Sequence, residues 1–568
     1  MDRGERRHDK RLNRLAHCLA GSVALCAVPI HSAWAAQLDP SQTEKRLEET
    51  GREFIPPPME TSAPQLPSKG HAGAAQEIGS FLLSGVRLTG DMLLPAKDFV
   101  PTYEEFVATK VDEKTVLKIA ARITAQLQKV GYSLSYAVIP PQQVDAGILT
   151  IEIVPGRVGG LSIDGVEDGD RYRSYFQELL ASRVATQKQL ERPILLVNDL
   201  PGISVADIAL QERDGAPGVY DLALKLHDKP LDFSLYADNR GTHAAGPFQV
   251  GIYAAYNGAF RLNDQASVTY FTVPETPREL QYVQGRYQLP IGTDGLLLKI
   301  SSVYSHLIAG SDLGRVGTKS DSFSASAGLR YPLTRMRSSS LWASVEADFR
   351  DAHEENDFGT TFNDRLVVLR GSLDYSSKDD FGGQNFISVT VSQGLTVAGA
   401  SRKGDQPLSR ADGGGSFTKV GVEAYRRQEL FTKELALTLR AAGQKSSRAL
   451  LSAEEFSLGG ARFGRAYQYG ELTGDDGLAG SVELGYSPEL SLAPFKAPTF
   501  YLFYDQGIVW NRNYLTGRQS LASTGGGIRF SIGEASHVGL ELAKPLTRDT
   551  DYSDSRDVRL FFSFSTTF

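Results

Sequence analysis

Metal, nucleotide and nucleophile chemistry each need certain residues at certain spacings, and this sequence offers few of them. Its nine histidines are scattered and never fall at metal-ligand spacing. No Gly-x-x-x-x-Gly-Lys-Ser/Thr run is present to cradle a phosphate. Two glycine triplets, Gly413-Gly414-Gly415 and Gly525-Gly526-Gly527, read as a loop and a strand kink. The acidic stretch 351–357 could hold a divalent ion, but its spacing suits a solvated loop better. No nucleophile elbow occurs in 80–228. Both cysteines, Cys18 and Cys26, lie in a stretch that reads as a targeting segment, so the mature chain is expected to carry no thiol. The expectation is therefore a non-enzyme without metal or cofactor. A net charge of −7 gives no sign of a nucleic-acid partner.

One charged position can still be placed. In 500–507, Phe500, Leu502 and Tyr504 suit a lipid-facing side of a strand. Strand side chains alternate, so Phe503, Asp505 and Gly507 share the opposite side and face a lumen if the sheet closes.

The elements around it divide the chain. Arg3, Arg6, Arg7, Lys10, Arg11 and Arg14 precede an apolar stretch and an Ala33-Trp34-Ala35 cleavage pattern, so residues 1–35 are expected to be a removable leader. Residues 36–79 begin with Asp39-Pro40, a helix start, and a charged helix with almost no apolar face is expected over 40–54. A proline-rich linker follows it. Residues 80–158 and 159–229 look like two copies of one small α/β unit. In the first, Val116, Ile119, Ala120, Ile123 and Leu127 recur at helical spacing, and Leu149, Ile151 and Ile153 alternate with polar residues. In the second, helices are expected over 172–180 and 187–197 and strands over 161–166, 203–211 and 220–226.

From 230 to 568 everything reads as strand and turn. Leu231, Phe233, Leu235 and Ala237 alternate with Asp232, Ser234, Tyr236 and Asp238, and sixteen such segments can be counted. Short connections (291–294, 333–339, 533–536) alternate with long ones (306–320, 351–364, 394–416, 446–477, 511–520). Apolar-out, polar-in strands with one short-turned and one long-looped end are the pattern of a membrane barrel, in which closure pairs every edge.

At particular residues the chain resembles a two-partner secretion transporter (TpsB type) of the filamentous-haemagglutinin and haemolysin kind. The first unit carries Gly131-Tyr132, Pro140-Pro141-Gln142 and the stretch from Gly147 to Gly156. The second carries Leu195-Leu196-Val197-Asn198-Asp199-Leu200-Pro201-Gly202, the most specific of the matches, although Pro193 interrupts the preceding helix and should kink it. The family's V-R-G-F/Y loop motif is matched by Gly464-Arg465-Ala466-Tyr467, with arginine and aromatic kept and the flanking valine and glycine replaced. Its F-x-D-x-G strand motif is matched by Phe503-Tyr504-Asp505-Gln506-Gly507, and Phe568 resembles the terminal aromatic read by the barrel-assembly machinery.

The resemblance implies a mainly β fold: a 16-stranded transmembrane barrel preceded by two POTRA domains and a plug helix. It implies an outer-membrane pore, with the POTRA domains in the periplasm, that exports one large, unfolded TpsA-type partner, and a monomer surrounded by outer-membrane lipid. It also implies that the 446–477 loop folds inward and that Arg465 pairs with Asp505 in a water-screened lumen. The alternatives are an assembly factor of the same superfamily, which usually carries three or more POTRA units, and a diffusion porin, which would not need 80–228.

Overall fold

The computed structural model describes residues 42, 44–47, 79–260, 263–310, 314–512, 517–551 and 553–568. The expected leader (1–35), the linker and part of the expected 511–520 loop lie outside them.

In the first α/β unit, Ile148–Val154 is the central strand. It takes Gly85–Gly90 in parallel on one side and Tyr136–Val138 antiparallel on the other. Helix α1 (Glu113–Lys129) covers this sheet with Val116, Ile119, Ala120, Ile123 and Leu127, all buried. It starts where the Asp112 side chain accepts the Thr115 N–H at 2.9 Å, satisfying a donor that the first turn cannot. The second unit repeats the topology. Arg157–Asp164 runs parallel to the central Val219–Asp228, and Ile203–Glu212 pairs antiparallel on its other side. Helices α2 (Gln177–Ala181) and α3 (Gln187–Asn198) pack on it, the latter begun by a capping box between Thr186 and Gln189.

One local expectation changes here. The helix expected over 172–180 is a 3-10 stretch, Gly169–Phe176, followed by the five-residue α2. Tyr172 and Phe176 are buried, and the tighter winding brings both under the sheet in a segment of weak helix formers. Helix α3 continues through Pro193, which is buried.

The remaining strands close into a barrel. In chain order, and among the described residues, the spanning strands are β1 (Leu231–Asp238), β2 (Gln249–Asn257), β3 (Gln265–Thr272), β4 (Leu280–Ile291), β5 (Leu296–Ile308), β6 (Lys319–Arg335), β7 (Ser339–Asn356) and β8 (Gly359–Lys378). They continue as β9 (Gly383–Gly394), β10 (Thr418–Glu429), β11 (Leu435–Ser446), β12 (Asp476–Tyr486), β13 (Phe495–Trp510), β14 (Arg518–Ile532), β15 (Ser536–Pro545) and β16 (Arg559–Thr567). Each neighbouring pair is antiparallel, and β16 returns to β1 through Ser563–Thr567 against Ser234–Asp238. Ile252, Val268, Val283, Ile300, Leu369, Val391, Val482 and Leu502 are among the apolar side chains left exposed on the outside. Such a belt is costly in water and suited to lipid. The terminal Phe568 joins it, its ring tilted against that of Phe233 at 5.7 Å while its N–H donates to the Phe233 carbonyl at 2.9 Å.

The 351–364 segment is not the long loop expected. Pairing of β7 with β8 runs without a break in contact from Ser339↔Ser377 to Asn356↔Gly359, turning only at Asp357-Phe358. The eighteen paired residues of β7 exceed the roughly 9–11 that cross a bilayer at barrel tilt, so this hairpin projects past the rim. Beyond the lipid neither face of a strand need be apolar, and the alternation that marks a strand in sequence disappears. The acidic residues of 351–357 consequently alternate between two faces instead of converging, with Asp351 held by Arg365.

Candidate functional site

The barrel lumen is occupied from two directions. The first occupant is the N-terminal helix, described at Gln42 and at residues 44–47. Its described polar side chains, Gln42, Glu44, Lys45 and Arg46, all meet partners. Gln42 donates to the Ser452 carbonyl at 2.5 Å and accepts from Ser457 Oγ at 2.6 Å. Glu44 accepts from Ser324 Oγ at 2.7 Å and lies 3.1 Å from Arg350. Lys45 donates to the Glu455 carbonyl at 3.1 Å. Arg46 lies 3.8 Å from Asp238. Among the described residues Leu47 alone supplies apolar contact, with Tyr236, Phe271, Tyr282 and Val303 of the wall. Burying one leucine is worth about 1.5–3 kcal/mol. The rest of the described hold is polar and replaceable by water.

The second occupant is the connection between β11 and β12. Its two limbs pair as a short hairpin, Phe456–Leu458 with Leu472–Gly474, and its tip carries Gly464-Arg465-Ala466-Tyr467. The tip lies against the inner wall. Arg465 Nε and Nη2 are each 3.3 Å from an Asp505 oxygen, Nη1 is 2.6 Å from Glu483 on β12 and 3.5 Å from Glu541 on β15, and Nη2 donates to Ser481 at 3.0 Å. The guanidinium also sits 3.8 Å over the Phe503 ring, adding a cation–π contact. Asp505 holds the tip's backbone as well, accepting the N–H groups of Gly464 (3.3 Å) and Arg465 (3.0 Å). Tyr467 is buried, and its hydroxyl lies 3.2 Å from the carbonyls of both Ala522 and Arg548, either of which can accept its one proton.

Arg465 is 2 % exposed and Asp505 0 %, so the pair is fully buried and not screened by a wet lumen as expected. Alternation alone could not reveal its further partners. Glu483 is shared with Arg529 of β14 at 2.7 Å, and Glu541 with Arg240 at 2.7 Å and Tyr501 at 2.9 Å. Arg240 and Arg559 donate to the carbonyls of Arg465 and Ala466. A readable signal was present: Glu483, Asp505 and Glu541 are inward positions on β12, β13 and β15, three of four successive strands in one barrel sector.

Two glycines of the motifs have steric roles. Gly464 has φ +88°, and a Cβ there would come within 2.5 Å of Leu521. At Gly507 a Cβ would collide with Leu458 of the lid hairpin, so the missing side chain is the seat on which the lid rests.

Of the POTRA motif residues, Gly131, Gly156, Asp199 and Gly202 lie at two joints. Between the units, the Gly131 and Gly156 carbonyls accept the Gln187 and Ala185 N–H groups at 2.7 Å each, and Tyr136 donates to Glu212 at 2.6 Å. Burial, together with the Glu212 carboxylate, holds the Tyr136 phenol well above its ordinary pKa. Gln142 stays local, clamping both the N–H and carbonyl of Thr150. Gly147 abuts the Leu82 carbonyl, and Tyr132 packs at the edge of the first unit's core. Within the second unit Asn198 accepts the Val205 N–H at 2.9 Å; at the barrel Asp199 meets Arg335, and Gly202 leaves room for Asn257 of β2. Leu200 is buried in the second unit's core and Pro201 is half-buried beside it. Among the described residues no cluster of His, Cys, Asp or Glu could hold a metal ion.

A closed barrel reached through two α/β units, its lumen filled by a polar helix and an infolded loop, defines a plugged transport barrel. Residues 222–530 match the family model described as haemolysin secretion/activation protein ShlB/FhaC/HecB, and residues 81–156 match the ShlB-type POTRA domain. The chain belongs to this haemolysin secretion/activation family and is a two-partner secretion transporter, an outer-membrane β-barrel that secretes a partner protein. It is 23 % identical over 473 residues to the heme/hemopexin transporter protein HuxB of Haemophilus influenzae (strain 86-028NP), covering 79 % of this chain and 81 % of the relative. CdiB from Escherichia coli shares its fold at a TM-score of 0.71 and 20 % identity, over 96 % of this chain and all (100 %) of that one. CdiB from Acinetobacter baumannii does so at 0.65 and 17 %, over 94 % and 99 %.

Proposed function

We propose that this transporter sits in a Gram-negative outer membrane with both POTRA units in the periplasm, captures an unfolded, TpsA-type partner there and passes it through its own lumen. The observation that carries the reading is the chemistry of the plug: among its described residues Gln42, Glu44, Lys45 and Arg46 meet polar partners, and Leu47 alone is apolar. A polar helix gives up little apolar burial on leaving, so it can clear a path that an apolar core could not. The Arg465–Asp505 contact is the lid's anchor, holding it to the wall while the barrel is idle. Capture suits the open edges of the two POTRA sheets, where an extended chain can add a strand through main-chain hydrogen bonds. The sequence has no phosphate-binding loop, and folding of the partner outside is the proposed drive.

The test is a deletion of residues 36–54. In planar bilayers the full chain conducts weakly and the deletion variant conducts more. Equal conductance would refute the plug.

A further inference from the structure

The second POTRA unit meets the barrel through one helix and a few side chains, and the contacts are unusually directional. Helix α3 presents Glu191, Arg192 and Asp199 toward the rim. Asp199 receives both arms of the Arg335 fork, Nη2 at 2.5 Å and Nε at 2.7 Å. Parallel bidentate bonds of this kind fix orientation as well as distance. Arg335 is itself immobilised. Its side chain is 1 % exposed, it lies 5.8 Å from the Trp342 ring, and Nη1 donates to Ser340 at 3.3 Å. A register irregularity between Pro332 and Thr334 precedes it on β6. Glu191, also buried, accepts the Arg337 N–H at 3.0 Å, and Arg192 donates to the carbonyls of Pro332 (3.2 Å) and Asp294 (3.1 Å).

The remaining contacts fall on the same side. Arg171 and Tyr172 reach Asn263, between β2 and β3, and Leu196 packs at Gly295, between β4 and β5. The unit is thus tied to three consecutive turns, those following β2, β4 and β6. Asp199 is the hub. It ends α3 and adjoins Asn198, which ties the helix to strand Ile203–Glu212.

We propose that Asp199 and Arg335 form a positioning latch that holds the second POTRA unit on one arc of the barrel rim, in the orientation export requires. Neither residue touches the cargo path; both act by fixing where the unit sits. The three-turn footprint gives the latch its purpose. A unit held to one arc leaves the opposite arc clear for an incoming chain, whereas a unit free to pivot would cross the mouth.

The experiment uses the full-length transporter with spin labels at Lys188→Cys and Asp380→Cys, both exposed and on opposite sides of the joint. Pulsed dipolar spectroscopy gives the distance distribution, and partner secretion is measured in the same strains. Retention of heat-modifiable mobility shows that the barrel has folded. Asp199→Asn keeps the side chain's shape and removes its charge. It is expected to broaden a narrow distribution and to lower secretion several-fold with the barrel intact. The exchange Asp199→Arg with Arg335→Asp is expected to narrow the distribution again and recover secretion. A distribution as narrow in Asp199→Asn as in the wild type would overturn the latch. So would a broad distribution with secretion at the wild-type level.

Discussion

Arg465→Ala probes the lid anchor most sharply. The substitution removes a cation that is 2 % exposed and faces three carboxylates, on Asp505, Glu483 and Glu541. Breaking a buried ion pair costs about 3–5 kcal/mol, mostly because the partner is left uncompensated. Here the partners are not all abandoned. Glu483 keeps Arg529, Glu541 keeps Arg240 and Tyr501, and Asp505 keeps two backbone N–H groups and the hydroxyls of Ser481 and Ser523. The lower end applies, roughly 3 kcal/mol, which is about a hundredfold in the open-lid population at 1.4 kcal/mol per tenfold. Asp505→Ala should be of similar size, since Arg465 keeps Glu483 and Glu541. The double variant should fall between one single variant and the sum of both. The shared contact is lost only once, but the Gly464 and Arg465 N–H bonds to Asp505, worth about 1.5–3 kcal/mol for a charged acceptor, survive Arg465→Ala and go only with Asp505. The Tyr467 amide, which donates to the Gly464 carbonyl at 2.8 Å, reports lid opening by hydrogen exchange in the folded barrel. Unchanged exchange in Arg465→Ala, or strictly additive defects in the double variant, would refute this reasoning.

Three further outcomes are expected. Gly507→Val should drive Leu458 off its seat and give a folded barrel with raised conductance; normal conductance would deny the lid contact its role. Glu44→Ala should leave Arg350 and Ser324 without their plug partner and raise conductance less than deletion of 36–54 does, so an effect equal to the deletion would mean that the other contacts hold nothing. Glu471 lies in the lid, outside the spanning strands, where burial and then Asp551 push its carboxyl up to about 7. With the docked value above the free one, docking is strongest at pH below the ordinary carboxylate range and weakens as pH rises toward 7; protection of the Tyr467 amide, taken relative to its intrinsic base-catalysed exchange rate, should therefore fall over that window, and Glu471→Gln should flatten that protection profile.

Much of this was readable in the sequence because strands and lipid impose a rule on every second residue. The alternation at 231–238 and 500–507 placed Tyr236, Asp238 and Asp505 inward, where they are found. The rule fails where its cause ends. Past the rim the outward face of the β7–β8 hairpin no longer meets lipid, while its other face buries the charged Glu354 and Asp364 beside Ala352 and Phe362, so 351–364 looked like a loop. The lid's partners were hidden for another reason. Which carboxylates surround Arg465 depends on the register of β12 on β13 and β14 on β15, a property of pairs of strands that no single strand encodes. The same is true of Asp199 and Arg335, separated by 136 residues and joined only by docking.

The central claim is that the lumen occupied by the plug is the route of export. A photo-crosslinking residue in place of Tyr282, a buried wall residue beside Leu47, tests it in cells that are secreting the partner. The account predicts crosslinks to the chain's own N-terminal helix when the partner is absent and to the partner during secretion. Crosslinks to that helix alone, while the partner is secreted at the normal rate, would contradict it.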